Sequence, residues 1–135
     1  MPDKIFVDTN ILVYFISNYE DKKVKAKEVI FSSEEVYISS QVINEFISVC
    51  FSKKLMELKQ TTTLVSDLME ALRFSCVEKS TIKKALQIKK DFNYSYWDCL
   101  VIASALENNC SILYTEDMHD GQLINNELAI INPFN

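Results

Sequence analysis

Glycine, histidine and arginine each occur once in this 135-residue chain, as Gly121, His119 and Arg73. A single glycine excludes both the dinucleotide-binding GxGxxG turn and the phosphate-cradling P-loop, which need several. A single histidine excludes a zinc site built from several imidazoles, and any Ser–His–Asp triad would have to draw on His119. Positive charge is carried almost wholly by lysines, clustered at 22–27, 53–59 and 79–90, where they suit the solvated faces of helices. The net charge of −5 argues against a large, permanently basic nucleic-acid surface. It leaves room for a nucleic-acid enzyme whose acidic site holds metal ions. No apolar run approaches a membrane span, and the N-terminus lacks the basic-then-apolar pattern of an export signal, so the expectation is a cytoplasmic protein with no membrane association. Cys50, Cys76, Cys99 and Cys110 contain no CxxC pair and sit in apolar surroundings, which reads as four reduced core thiols.

What is present suits one domain over residues 1–135, with 48% apolar and 24% charged residues. Short runs of β-type residues at 4–8, 35–39, 75–78, 111–115 and 128–132 predict strands. Helical spacing is read at 9–16, 20–32, from Ser40 onward, 57–73, from Ser80 or Thr81 to 92, and 95–109. No repeat, low-complexity tract or proline-rich linker interrupts this alternation. It predicts an α/β fold of three layers, α/β/α, around a central parallel sheet of four to five strands. In such sheets, sites form at the carboxyl ends of strands, near the point where strand order reverses.

Several carboxylates are expected at that edge. Asp8 closes the first strand within IFVDTNILVYF, an otherwise apolar run apart from Thr9 and Asn10. Helix capping would explain it, and so would a cation, and the two roles are compatible. Asp98 lies in the first turn of an almost wholly apolar helix, where the helix dipole and a Ser95 cap would also suit a purely structural aspartate. Glu45 flanks the apolar stripe Val42, Ile43, Phe46, Ile47 and Cys50, a place where glutamate is commonly just solvated. Asp117 follows the fourth strand, with Glu116 and Asp120 as possible competitors for its role. Four such groups brought together repel and raise one another's pKa unless cations compensate. An oxygen-only donor set suits Mg²⁺ or Mn²⁺ rather than Zn²⁺, and the chemistry implied is metal-dependent phosphodiester hydrolysis.

The segments VDTNILVY (7–14), SSQVINEF (39–46), YWDCLVIASAL (96–106) and LYTEDMHDGQLI with the terminal INPF resemble, in order and spacing, the PIN-domain ribonucleases, most of all the VapC-type toxins of toxin–antitoxin pairs. The resemblance spans essentially the whole chain. It implies a metal site of Asp8, Glu45, Asp98 and Asp117, with Asn10 and Thr115 orienting ligands or water beside it. It also implies RNA as substrate, Mg²⁺ or Mn²⁺ as cofactor, a homodimer, and a small antitoxin as partner. Asp120 stands where similar sequences often carry a neutral or basic residue, so it is expected either to join the site or to weaken phosphate binding. Phosphate contacts fall to lysines such as Lys53 and Lys54. Tyr14, Phe46, Tyr96 and Trp97 are candidates for stacking on unpaired bases, with the core as the competing assignment for each. The apolar segments 11–16 and 43–51 could supply the interface of such a dimer. The rival readings are a PIN nuclease of RNA processing without an antitoxin, an interaction module that has lost catalysis, and an aspartyl phosphatase. The last lacks its usual second aspartate, since Asn10 stands there.

Overall fold

The computed structural model describes residues 3–135. In chain order the elements are β1 (Ile5–Val7), α1 (Thr9–Phe15), α2 (Glu20–Ile30), β2 (Val36–Ser39), α3 (Ser40–Ser52), α4 (Leu58–Ala71), β3 (Arg73–Ser75), α5 (Lys79–Asp91), α6 (Tyr96–Glu107), β4 (Ile112–Tyr114), β5 (Leu123–Ile124) and β6 (Leu128–Ile131). The strands form one sheet in the order β3-β2-β1-β4-β6-β5. The chain builds outward from β1 through β2 to β3, then crosses to the other side of β1 for β4. Strand order therefore reverses between β1 and β4, and helices of the two directions fall on opposite faces. Helices α1 to α4 pack on one another as one layer, and α5 pairs with α6 as the other.

The α/β expectation holds, with a sheet larger than expected. Six strands are present, and β5 pairs antiparallel with β6, Leu123 facing Ala129 and Ile124 facing Leu128. The turn between them carries Asn125 and Asn126 at φ of 51° and 57°, a left-handed pair that asparagine tolerates and that suits a tight hairpin. The third strand lies earlier than the 75–78 expected. Arg73, Phe74 and Ser75 pair with Tyr37, Ile38 and Ser39, and Val77 already turns away by donating its N–H to Ser40 Oγ. The cap of α5 is likewise Glu78, in a capping box with Thr81, rather than Ser80 or Thr81.

The core lies on both sides of β1, which is buried along its whole length. Phe6, Ile11, Leu12, Phe46, Ile102 and Leu113 are among its fully buried side chains. Helix α6 is buried continuously from Cys99 to Leu106, so its sequence shows no polar face. One expectation changes here. Cys50, Cys99 and Cys110 are buried but Cys76 is exposed, because it follows the solvent-facing edge strand β3. In the segments 11–16 and 43–51, Ile11, Leu12, Ile43, Phe46 and Cys50 are core, Val13, Tyr14, Phe15, Ile16, Ile47 and Val49 are half-buried, and Phe51 is exposed.

Candidate active site

Asp8 sits where β1 becomes α1. Its backbone N–H donates to the Tyr114 carbonyl at 3.1 Å, carrying the β1–β4 ladder one residue beyond the strand. The side chain is 5% exposed. One carboxylate oxygen accepts the Thr9 N–H at 2.7 Å, and the other accepts the Thr115 hydroxyl at 2.8 Å. Asp8 thus caps α1 with one oxygen while the other is held by Thr115.

Thr115 follows β4 and is fully buried. While it donates to Asp8, its oxygen accepts from Asn10 Nδ2 and from the Asp117 N–H, each at 3.2 Å. Asn10 Nδ2 also donates to Asp117 Oδ2 at 3.0 Å, and Asn10 Oδ1 accepts the Glu116 N–H at 3.2 Å. Asn10 and Thr115 therefore hold Asp8 and Asp117 in a fixed relation across the β1–β4 switch point.

On the other side of Asp8 stands Glu45, one turn into α3, whose N-cap Ser39 ends β2. Its two oxygens accept from Thr9 Oγ1 at 2.8 Å and Gln41 Nε2 at 3.0 Å. Gln41 Nε2 also donates to the Trp97 carbonyl at 3.1 Å. Asp98 comes next, in the first turn of α6, where its N–H donates to the capping Ser95 hydroxyl. Thr9 and Gln41 were not singled out from the sequence. The four-residue spacing of Gln41 and Glu45 on one helix was visible there, whereas nothing local announced Thr9 as a partner of Glu45.

The electrostatics tie the four carboxylates together. Burial pushes Asp8 up to about 6 from 3.8, with a smaller upward push from Glu45 and Asp98, against the lowering effect of its bonds to Thr115 and Thr9. Asp98 is also raised, first by burial, then by Asp117 and Glu45. Among the described residues none of the four forms an ion pair. Partly desolvated like charges without a counter-charge make a site in which a cation would be stabilised.

Among the described residues no three Asp, Glu, His or Cys groups stand as a ready-made chelating cage. The carboxylates are spaced around the strand ends by the neutral side chains that hold them. That arrangement fits Mg²⁺ or Mn²⁺, hard ions that take one or two carboxylates, keep several waters and prefer oxygen donors. Asp8, Glu45, Asp98 and Asp117 are the residues that could hold such an ion.

A groove of about 860 Å³ opens beside the acidic residues, lined by Asn10, Tyr14, Lys22, Glu45, Lys53 and Asp117 among others. Lys53 faces this groove, whereas Lys54 lines a separate depression with Phe51 and Leu55. Glu116 is taken by Lys22 at 2.6 Å and the Tyr14 hydroxyl at 2.7 Å, which lower its pKa against the effect of burial. Lys22 also lies 4.5 Å from the Tyr14 ring centre. The Asp120 carboxylate accepts from the Asn132 N–H and from Asn135 Nδ2, tying the C-terminal segment to its own loop and linking to none of the four. Of the aromatic candidates, Phe46 is fully buried core, Tyr14 and Tyr96 are half-buried, and Trp97 is 62% exposed.

The comparisons bear on this geometry. The model of the PIN domain matches residues 5–119, a span from β1 to the loop after Asp117 that includes all four carboxylates. Among curated proteins none matches. Several solved structures are similar in fold. A toxin–antitoxin complex from Klebsiella pneumoniae aligns with TM-score 0.73 at 16% identity, covering 96% of this chain and 97% of that one. The Mycobacterium tuberculosis toxin VapC20, described as cleaving the sarcin–ricin loop, aligns with TM-score 0.67 at 16% identity, over 84% and 91% of the two chains. VapBC2 of Rickettsia felis, bound to a fragment of its promoter DNA, aligns with TM-score 0.66 at 18% identity, over 93% and 96%. A family match over most of the chain, joined to this sheet order, means that the chain belongs to the PIN-domain family.

Proposed function

We propose that this protein is a divalent-metal-dependent endoribonuclease that hydrolyses RNA phosphodiester bonds as the toxin of a toxin–antitoxin pair. The observation that carries the reading is the gathering of Asp8, Glu45, Asp98 and Asp117 from four separated segments into one electrostatically coupled group. Family membership supports nuclease chemistry, and the toxin–antitoxin complexes among the similar folds support the biological role.

The four carboxylates would hold Mg²⁺ or Mn²⁺. A bound ion of this kind lowers the pKa of its water and offsets charge that builds on a phosphate undergoing in-line displacement. The protein's own part is to fix the acceptors. Thr115 and the Thr9 N–H orient Asp8, Asn10 orients Asp117, and Thr9 with Gln41 orients Glu45. Lys53 is the cation in the groove placed for a phosphate, because Lys22 is committed to Glu116. With so little positive charge near the site, a short single-stranded or looped RNA suits it better than a long duplex.

The antitoxin is the second partner in this reading, and a homodimer in the cytoplasm its working form. The free thiols suit a reducing compartment, and among the described residues no helix is long and apolar enough to cross a membrane. Incubating a mixed RNA pool with the wild type and with Asp8→Asn, in Mg²⁺, in Mn²⁺ and in chelator, tests the activity. Cleavage that needs the metal and Asp8 is expected. Absence of wild-type cleavage in any divalent metal would mean an interaction module instead.

A further inference from the structure

We infer that Gln41 is a positioning residue that sets Glu45 relative to both Asp8 and Asp98; the inference rests on the metal-dependent reading above. Gln41 lies in the first turn of α3 and is 9% exposed. Both of its amide hydrogens are spoken for, one by Glu45 Oε1 at 3.0 Å and one by the Trp97 carbonyl at 3.1 Å. Turning the amide over would set its oxygen against a carboxylate and a carbonyl, so the orientation is dictated by chemistry. The consequence falls on the amide oxygen of Gln41. Among the described residues it is the one buried side-chain polar atom with no hydrogen-bond partner.

A buried acceptor left unpaired costs folding free energy; a methionine or leucine of similar size would avoid that cost but would give up both bonds made by the amide nitrogen. A side chain that breaks a rule of good packing beside a functional group is best explained by the function. The geometry says which function. Glu45 has one oxygen on Thr9, the neighbour of Asp8, and the other on Gln41, which is anchored to the neighbour of Asp98. Gln41 thereby spans from the α1–α4 layer to the first turn of α6, over the carboxyl edge of the sheet. Glu45 is located from two directions, and each of its oxygens keeps a lone pair for an ion. A neutral amide suits this task. Lysine or arginine there would orient Glu45 too, but would also cancel the negative charge that a divalent ion needs.

Isothermal titration of Mn²⁺, without RNA, into wild type, Gln41→Met, Glu45→Gln and the double variant tests the inference. Gln41→Met should bind Mn²⁺ at least tenfold more weakly, within the roughly 10–100-fold effects of groups that orient metal ligands. Its melting temperature in chelator should stay within a few degrees of the wild type, since the orphaned amide oxygen is gone while Glu45 Oε1 and the Trp97 carbonyl each lose one donor. Cleavage should show a lower kcat at unchanged KM for RNA. In the Glu45→Gln background, Gln41→Met should change Mn²⁺ affinity no further. Gln41→Asn, which keeps the amide but shortens its reach, should reproduce the loss and serves if the methionine variant does not fold. Equal Mn²⁺ affinity in the wild type and in the folded Gln41 variants overturns the positioning role and leaves the nuclease reading standing. Absence of Mn²⁺ binding to the wild type removes that reading and this inference together.

Discussion

Replacing Asp8 by asparagine removes a charge that the fold pays to bury, and the structure sets both the size and the pH window of the effect. Asp8 titrates near 3.8 when exposed and near 6 in the folded protein, chiefly because it is buried. Folding therefore binds its proton more tightly. The wild type should lose stability as pH rises from about 3.8 to about 6, and the loss should level off above that. At about 1.4 kcal/mol per pKa unit, the difference amounts to about 3 kcal/mol. The substituted asparagine would carry no such penalty, but it has its own mismatch. Its amide nitrogen would face the Thr115 hydroxyl, whose oxygen already accepts from Asn10 and from the Asp117 N–H. That costs roughly 1–3 kcal/mol at every pH and so drops out of the slope. Urea unfolding of both proteins in chelator, in half-unit steps from about pH 3.5 to about pH 7.5, isolates the charge. The stability of Asp8→Asn minus that of wild type should rise by about 3 kcal/mol across the window, or about 10 °C in Tm for a domain of this size. A difference constant to within about 0.5 kcal/mol over the whole range would refute the claim that Asp8 is a desolvated carboxylate without a counter-charge.

Other substitutions probe the remaining layers of the structure. Thr115→Val keeps the shape but strands the inner oxygen of Asp8. It should cost about 1–3 kcal/mol at pH 7 and clearly less at pH 4, where Asp8 is protonated, as read by chemical denaturation. Asp98→Asn and Asp117→Asn should each abolish detectable Mn²⁺-dependent cleavage while leaving the far-ultraviolet circular dichroism spectrum unchanged, and full activity in either would remove that residue from the site. Phe46→Ala should lose about 3–5 kcal/mol, because Phe46 is fully buried core, and Phe51→Ala on the exposed end of the same helix should stay within about 0.5 kcal/mol.

The elements that periodicity described well are those whose burial is one-sided or complete along their length. Helix α6 was legible because an apolar run ending in Asn108 and Asn109, with Ser95 ahead of it, contains its own start and stop; Asn109 indeed takes a left-handed φ of 58°. Strand β3 was displaced because its residues are exposed at the sheet edge, so it has no apolar signature, and pairing with β2 alone decides where it begins. The β5–β6 hairpin was hidden because β5 is two residues long, and the Asn125–Asn126 turn was its only local signal. At the site, the carboxylates could be named from their places after strands and in first turns. Glu116 and Asp120 could not be told from Asp117 by sequence, since all three share one loop. The partners separate them, Lys22 and Tyr14 for Glu116, the C-terminal Asn132 and Asn135 for Asp120, and Asn10 for Asp117.

By itself the sequence determined the alternation of strand and helix, the caps at Asp8 and Ser95, and an oxygen-rich, histidine-poor chemistry, because each depends on residues close together in the chain or on composition alone. Tertiary structure decided how the acidic groups are held. The bonds from Thr9 to Glu45, from Thr115 to Asp8 and from Gln41 to Trp97 join residues 36, 107 and 56 positions apart, and no local pattern encodes them. They exist because strand order reverses beside β1, which brings the ends of β1, β2 and β4 and the start of α6 to one edge, where buried charges must find neutral partners or a cation.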